Sequence, residues 1–288
     1  MTAPAQSGEG ALGDVLRADA GVARADVRLW NATFRLLLGW RTVLILLLLF
    51  GAWELYVDLG GANTLILPPP HQIAQALYDD RSLLWSNFLV TAREILLGML
   101  AAAAAALALA VSLHLSRTLR AAVYPLLVAS QAIPVTLVAP LLVLWLGFGF
   151  GPKLIVIALV CFFPIVVTTV DGLAAVDPDL LKLMRTFDAS RASTFRHVEL
   201  PAALPGLFTG MKVAVVFAPL AAVFAEQSGS NSGLGYVYEQ AIPQLLTARA
   251  YAAVFILAAF GISLFAVLTL AERRLLPWAY EPRGEIAR

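Results

Sequence analysis

The chain has 288 residues, 60% of them hydrophobic and only 14% charged, with a mean hydropathy of +0.81. Soluble domains hold about 45–50% apolar and about 25% charged residues, so this composition belongs to a multi-span membrane protein. A net charge of +1 gives no global attraction to nucleic acid, and a single cysteine, Cys161, excludes a disulfide framework or a cysteine metal cluster.

The three histidines, His71, His114 and His197, are far apart in sequence, and no HExxH, Walker A or GxGxxG pattern occurs. No catalytic residue, metal or cofactor is expected, so any ATP that powers the chain must be bound by another subunit. Residues 1–41 mix Asp14, Asp19 and Asp26 with five arginines. They are too polar for a signal peptide and read as an N-terminal tail, either a helix on the membrane surface or disordered.

A spanning helix needs about 20 mostly apolar residues. Six segments qualify: 42–59, 91–113, 122–146, 153–172, 205–226 and 250–271. The third is interrupted by Pro125, Pro134 and Pro140, and its start is the least defined. Between the first two, "LILPPPHQIAQALYDD" predicts a proline stop followed by a short amphipathic surface helix. The Ala101–Ala106 run predicts a smooth helix face open to close approach. Trp40, Trp53, Trp145 and Trp278 fall near span ends, where interfacial aromatics sit.

Fifteen of the 20 Lys and Arg fall in the tails and alternate connections that share a side with the N-terminus, against three on the other side. The positive-inside rule then makes both termini cytoplasmic. The expected fold is all-α: a polytopic membrane protein with six transmembrane helices and a cytoplasmic loop, 177–204, between helices four and five. The membrane domain spans 42–276, and 277–288 form a cytoplasmic C-terminal tail.

That loop is unusually structured. Asp177-Pro178-Asp179 is a helix start, with Asp as cap and Pro at the first position. A short helix is expected from Pro178 to about Phe187, a break at Asp188-Ala189-Ser190, and a second turn capped by Ser190 through Arg196. Pro201 and Pro205 are expected to close the block. Loops longer than about 12–15 residues without structure are uncommon unless functional. Leu180, Leu181, Leu183, Met184 and Phe187 ringed by Arg suit a helix docked in a partner's groove better than an idle solvated loop.

Prolines within spans remove backbone hydrogen bonds, which membranes tolerate where backbone is buried in protein or lines a wet path. Pro134, Pro140, Pro164 and Pro219, with Gln131, Thr136 and Thr168, are therefore candidates for a translocation path, with simple kinks as the alternative. Arg93, Glu94, Asp171, Lys212 and Glu226 are charges in or near spans. They are read mainly as boundary anchors, with Lys212 snorkelling inward. Glu54 lies deeper and is expected to face protein. "SGSNSGLGY" carries Asn231 where a hydrolase GxSxG would need Ser, and reads as an outer turn.

The stretch "RTFDASRASTFRHVELPAALPGLFTGMKVA" (185–214) resembles the coupling loop of bacterial ABC-importer permeases. "QAIPVTLVAPLLVLWLGFGFGPK" (131–153), "FFPIVVTTVDGL" (162–173) and "AEQSGSNSGLGY" (225–236) are similar to the branch that imports taurine, alkanesulfonates, nitrate and thiamine-type pyrimidines. The resemblance covers residues 60–275. The family's EAA positions fall on Lys182, Leu183 and Met184 and its Gly on Asp188, so the chain departs from the pattern at its best-known points.

The resemblance implies ATPase coupling through Lys182, Leu183, Met184, Arg185, Thr186, Phe187, Asp188, Ala189, Ser190 and Arg191. It also implies two copies of an ATP-binding subunit, a second permease chain making a homodimer, and an extracytoplasmic solute-binding protein docking at the outer loops. It places the chain in the bacterial inner membrane, not itself an enzyme, moving a hydroxymethylpyrimidine-type thiamine precursor. Taurine, alkanesulfonate or nitrate import is the alternative, and a gradient-driven secondary transporter is the rival of a different class.

Overall fold

The structure, a computed structural model, describes residues 40–279. The N-terminal tail and the end of the C-terminal tail lie outside the described residues. The described residues form helices without any strand. The chain divides into two units, Met1–His71 and Gln72–Arg288.

In the first unit, α1 (Trp40–Asp58) is an apolar helix of spanning length. Its one mid-helix acid, Glu54, accepts the backbone N–H of His71 at 3.1 Å and pairs with His71 Nδ1. The expectation that this acid faces protein holds: its partner is the chain as it enters the next helix.

That helix is α2 (Pro70–Asp79), the short amphipathic helix expected after the proline stop. The second unit continues with α3 (Arg81–Leu115), α4 (Arg117–Ser130), α5 (Val135–Leu146), α6 (Phe150–Ala174), α7 (Pro178–Thr186), α8 (Arg191–Thr194), α9 (Leu200–Gln227), α10 (Leu234–Ala241) and α11 (Thr247–Leu275). By length and apolar character α1, α3, α6, the run Arg191–Gln227 and α11 are five spanning helices.

The sixth expected span, 122–146, is not one helix. It is α4 and α5 meeting at 98°. Pro134 explains the break, because it has no N–H to continue the ladder and pushes Ile133 out of helical geometry. Pro125 and Pro140 lie inside α4 and α5 and interrupt neither.

The loop prolines also behave differently from expectation. Pro201 and Pro205 do not close the polar block, because the helix runs unbroken from Arg191 to Gln227. A π turn, Phe195–Glu199, precedes Pro201, with the Leu200 N–H donating to Phe195 O five residues back. The wider turn gives room where the Pro201 ring would crowd the carbonyl four residues earlier.

Small residues set the core. Ala102, Ala106 and Ala110 of α3 are fully buried, one turn apart, so the alanine run does form a close-approach face. On α9, Gly206 and Gly210 lie against α6. A Cβ on Gly210 would stand 2.6 Å from Ile165 Cα and 2.8 Å from Pro164 O. Without a hydrophobic drive between helices in lipid, such backbone-to-backbone contact supplies the dispersion that holds the bundle.

A buried polar cluster closes the end of the bundle that carries α10. Glu226 Oε1 accepts from Thr91 Oγ1 at 2.6 Å, and Oε2 accepts the backbone N–H of Gly235 at 2.6 Å and of Tyr236 at 3.3 Å. Thr91 Oγ1 in turn accepts from Leu234 N at 2.8 Å, and Asn87 Oδ1 from Gly233 N at 2.6 Å. The first N–H groups of α10, which no helical carbonyl can satisfy, are thus all taken by side chains of α3 and α9. Gly233 has φ +112, and a Cβ there would overlap the Glu226 carboxylate.

Beside it, Lys153 of α6 pairs with Glu94 of α3 and donates to Ser230 Oγ at 3.0 Å. Glu226, Glu94 and Lys153 are all buried. This corrects the reading of Glu94 and Glu226 as boundary anchors, and Lys153, the first residue of the expected fourth span, lies in the interior. Lys212 does not snorkel either; its Nζ donates to Glu272 Oε2 of α11 at 2.8 Å. Arg249 grips Asp80 with two bonds of 2.7 Å, tying α11 to the start of α3.

Two stability outcomes follow. Glu226→Ala orphans several buried donors at once and should cost about 3 kcal/mol, read as a drop in melting temperature of the detergent-solubilised chain, whereas Glu226→Gln retains part of the network. Gly210→Leu should prevent α9 from seating on α6 and abolish a folded, monodisperse peak on gel filtration, while Gly51→Leu, with open space around it, leaves the peak unchanged.

Candidate functional site

The site is built on α7 and the turn that follows. Asp177 Oδ1 accepts the N–H of Asp179 at 2.8 Å, and Pro178 occupies the first helical position, where its missing N–H costs nothing. The helix is amphipathic but largely uncovered: Leu180 is 48% exposed, Leu183 50% and Phe187 74%. Leu181 and Met184 are half-buried beneath it. Two exposed Leu on one short helix, with an exposed Phe at its C-terminal cap, are the kind of apolar anchors a partner's groove takes.

The helix ends in a Schellman turn. Ala189 N–H donates to Met184 O and Asp188 N–H to Arg185 O, both at 3.1 Å. Asp188 holds φ +51, the left-handed geometry that this motif needs at the position usually taken by Gly. Two residues on, Ser190 Oγ accepts from Ser193 N at 3.2 Å, capping the long helix that begins at Arg191. The expected helix, break and second cap all stand where the sequence placed them.

This element is tied to the bundle at the α3–α4 corner. Arg191 Nη2 donates to Leu115 O at 3.2 Å, and His114 Nε2 meets Glu199 at 3.1 Å. A polar cavity of about 520 Å³ lies between the corner and α7, with Arg117, Arg185 and Arg191 in its wall. Lys182, at the first of the three motif positions, pairs with Asp179 at 2.7 Å with both side chains well exposed. Such a pair contributes little to stability and leaves both charges facing outward.

The candidate path residues are not brought together. Pro164 and Thr168 lie in the α6–α9 seam, where Thr168 Oγ1 donates to Pro164 O at 2.8 Å opposite Gly210. Gln131 and Pro134 stand exposed at the α4–α5 break, and Thr136 and Pro140 are exposed on α5. Pro219 lines a cavity of about 690 Å³, with Val223, Phe224 and Gln227 of α9, Tyr238 of α10 and Gly261 of α11. Gln227, Tyr238 and the three wall arginines as a group went unnoticed in the sequence. Their common signal is only polarity, and they come from helices far apart in the chain. The turn Ser228–Gly233 exposes only Asn231.

The fold and these sites agree with what the chain is similar to. Residues 94–277 match the family described as the binding-protein-dependent transport system inner membrane component. A probable ABC transporter permease protein of Haemophilus influenzae is 37% identical, covering 78% of this chain and 92% of its own length. The formylaminopyrimidine transport permease protein ThiX of Halalkalibacterium halodurans is 35% identical over 82% of this chain and 94% of its own. The riboflavin transport system permease protein RibX of Chloroflexus aurantiacus is 37% identical over 84% and 90%. A crystal structure of an amino acid ABC transporter with histidines shares the fold, with a TM-score of 0.55 at 17% identity, covering 69% of this chain and 97% of its own. A multi-pass helical chain that matches these permeases over most of its length is one of them: it belongs to the inner-membrane component family of binding-protein-dependent transport systems, the permease subunits of ABC importers.

Proposed function

We propose that the chain is one of two identical membrane subunits of an importer that carries a pyrimidine-type solute, of the hydroxymethylpyrimidine kind, into the cell. Both termini face the cytoplasm in this reading, as the Lys and Arg distribution favours. Two ATP-binding subunits dock on the α7 segment, Lys182–Arg191, and a solute-binding protein delivers substrate at the opposite end. The observation that carries it is α7 itself: an exposed apolar helix, closed by a left-handed Asp188 at the family's Gly position, at the head of a membrane-crossing helix.

The geometry supplies a transmission route. The helix from Arg191 to Gln227 has 37 residues, about 55 Å at 1.5 Å per residue. Its first residue follows the docking turn and its last turn carries Glu226, the hub of the polar cluster. A displacement of α7 by a closing ATPase pair is therefore delivered along one element to the far end of the bundle. Towards the Glu226 end, Pro219 lines the cavity that this reading assigns to half of the solute path, the second copy supplying the other half. There the Gln227 amide, the Tyr238 hydroxyl and the Phe224 ring offer hydrogen bonds and stacking to a flat heterocycle.

The substrate class rests on relatives named for formylaminopyrimidine and for riboflavin, both compounds with a pyrimidine ring. Affinity purification from the native membrane should bring an ATP-binding subunit in near-equal amount. In proteoliposomes with that ATPase and the binding protein, ATP should drive uptake of labelled hydroxymethylpyrimidine. Uptake driven by an ion gradient without ATP would overturn the importer reading; uptake of taurine in preference would overturn the substrate class.

Substitutions in the turn test the docking assignment. Asp188→Val forces a β-branched residue into left-handed geometry at about 1–2 kcal/mol, and should lower coupled ATPase activity and transport at least about tenfold. Asp188→Gly should keep both. Met184→Pro should abolish transport while the chain still inserts; wild-type transport in that variant sinks the docking role of α7.

A further inference from the structure

We propose that the polar cavity between the α3–α4 corner and α7 is a binding site for the phosphate of an anionic phospholipid. This proposal concerns the side of α7 turned towards the α3–α4 corner; the cavity shares Arg185 and Arg191 with the segment assigned to ATPase docking and adds Arg117, which lies outside that segment.

The cavity, about 520 Å³, gathers Arg117, Arg185 and Arg191 from three helices. Its only acid, Glu199, is already engaged by His114 at 3.1 Å. Of the neighbouring acids, Asp177 caps α7 and Asp179 pairs with Lys182, while Asp188 sits in the turn and lies outside the cavity wall. Among the described residues, none of the three arginines has a carboxylate partner, and Arg191 uses one N–H on Leu115 O. A guanidinium offers five N–H donors, so most of the donors remain available. Three cations facing one concavity repel one another unless an anion shares them.

Arg117 adds a second argument. It is the first residue of α4, where the helix dipole already places positive potential. An arginine there opposes helix stability, and an anion in the cavity would offset both charges. Planar guanidinium groups match phosphate oxygens in bidentate geometry.

A lipid is favoured over a free anion by position. The cavity opens where α3, a helix of spanning length, ends at Leu115. Leu115 lines it and is 46% exposed, with Leu119 37% exposed one turn into α4. An apolar rim beside a basic cavity at a span end suits acyl chains below a headgroup. Basic pockets between membrane helices bind anionic headgroups in this manner.

The test titrates the purified full-length chain in detergent with dioleoyl phosphatidylglycerol, with dioleoyl phosphatidylcholine and with inorganic phosphate, and counts bound lipid by native mass spectrometry. Phosphatidylglycerol should bind at least about tenfold tighter than phosphatidylcholine, and millimolar phosphate should compete with it. The double variant Arg117→Gln/Arg185→Gln should lose on the order of 25-fold in affinity. Arg117→Lys/Arg185→Lys should keep most of it, and Arg120→Gln, outside the cavity wall, should change nothing. If the glutamine variant does not fold, competition by phosphate on the wild-type chain decides. Equal binding of the two lipids, or unchanged phosphatidylglycerol binding in a folded glutamine variant, overturns the proposal. Phosphate binding with no lipid preference reassigns the site to a free anion and overturns the lipid source. Loss of the ATP-binding subunit from the variant with lipid binding intact makes the cavity a protein-docking surface, and overturns it as well.

Discussion

Everything at the α10 end of the bundle depends on a carboxylate held at a helix start. Glu226 sits in the last turn of α9 and receives the first N–H groups of α10, while Thr91 and Asn87 of α3 take the rest. In lipid no water is at hand for such groups, and each unsatisfied one costs several kcal/mol. The chain can therefore turn back after α9 only if these side chains are in place. The Lys153–Glu94 pair extends the same logic to α6. A buried ion pair is weak evidence for stability, but breaking one is costly, so the cluster acts as a register pin. It defines which residues of α3, α6, α9 and α10 stand level with one another.

Between that pin and the α7 end, the helices touch through small residues. Ala102, Ala106 and Ala110 on α3 and Gly206 and Gly210 on α9 leave no room for relative sliding without a clash against α6 backbone. A bundle pinned at one end and tightly seated along its length leaves its helices little room to slide past one another. The same helix that is seated on α6 follows directly from the turn that ends α7. Stiffness here follows from three observations together: an unbroken helix from Arg191, a π turn that absorbs Pro201 without a break, and glycine contacts that hold the helix to its neighbour.

Local chemistry was readable from the residues, and partnership was not. Asp177-Pro178, Ser190 and the proline stop before α2 each announce a helix start by mechanisms that act within four residues, and each stands where expected. Asp188 was legible as part of the break and, through the resemblance, as the family's Gly position; its left-handed backbone fits both. The interruption of the 122–146 segment was legible in its prolines, but its 98° bend was not, because apolar content cannot tell one straight span from two helices. Pro201 failed in the opposite direction, since a proline near a helix start is tolerated when the preceding turn widens. Glu94 and Glu226 differ from their reading as anchors because a charge near a predicted span end looks the same whether it meets water or a buried partner distant in sequence, such as Lys153 for Glu94 and Thr91 for Glu226.

The same distinction bears on Lys182, where the family's motif has Glu. In the structure this side chain is solvent-exposed and, among the described residues, pairs only with Asp179, one turn earlier, so the change does not disturb α7 or its turn. What α7 presents to a partner is mainly Leu180, Leu183 and Phe187. In protein interfaces the buried apolar and aromatic anchors carry most of the affinity, while rim charges govern encounter rate and partner choice. On the docking reading, reversing a rim charge leaves the mechanical joint intact and redirects it towards an ATPase whose groove edge is acidic at that point. The departure from the motif is then a mark of partner specificity, written on the side chain that the fold of this chain does not need.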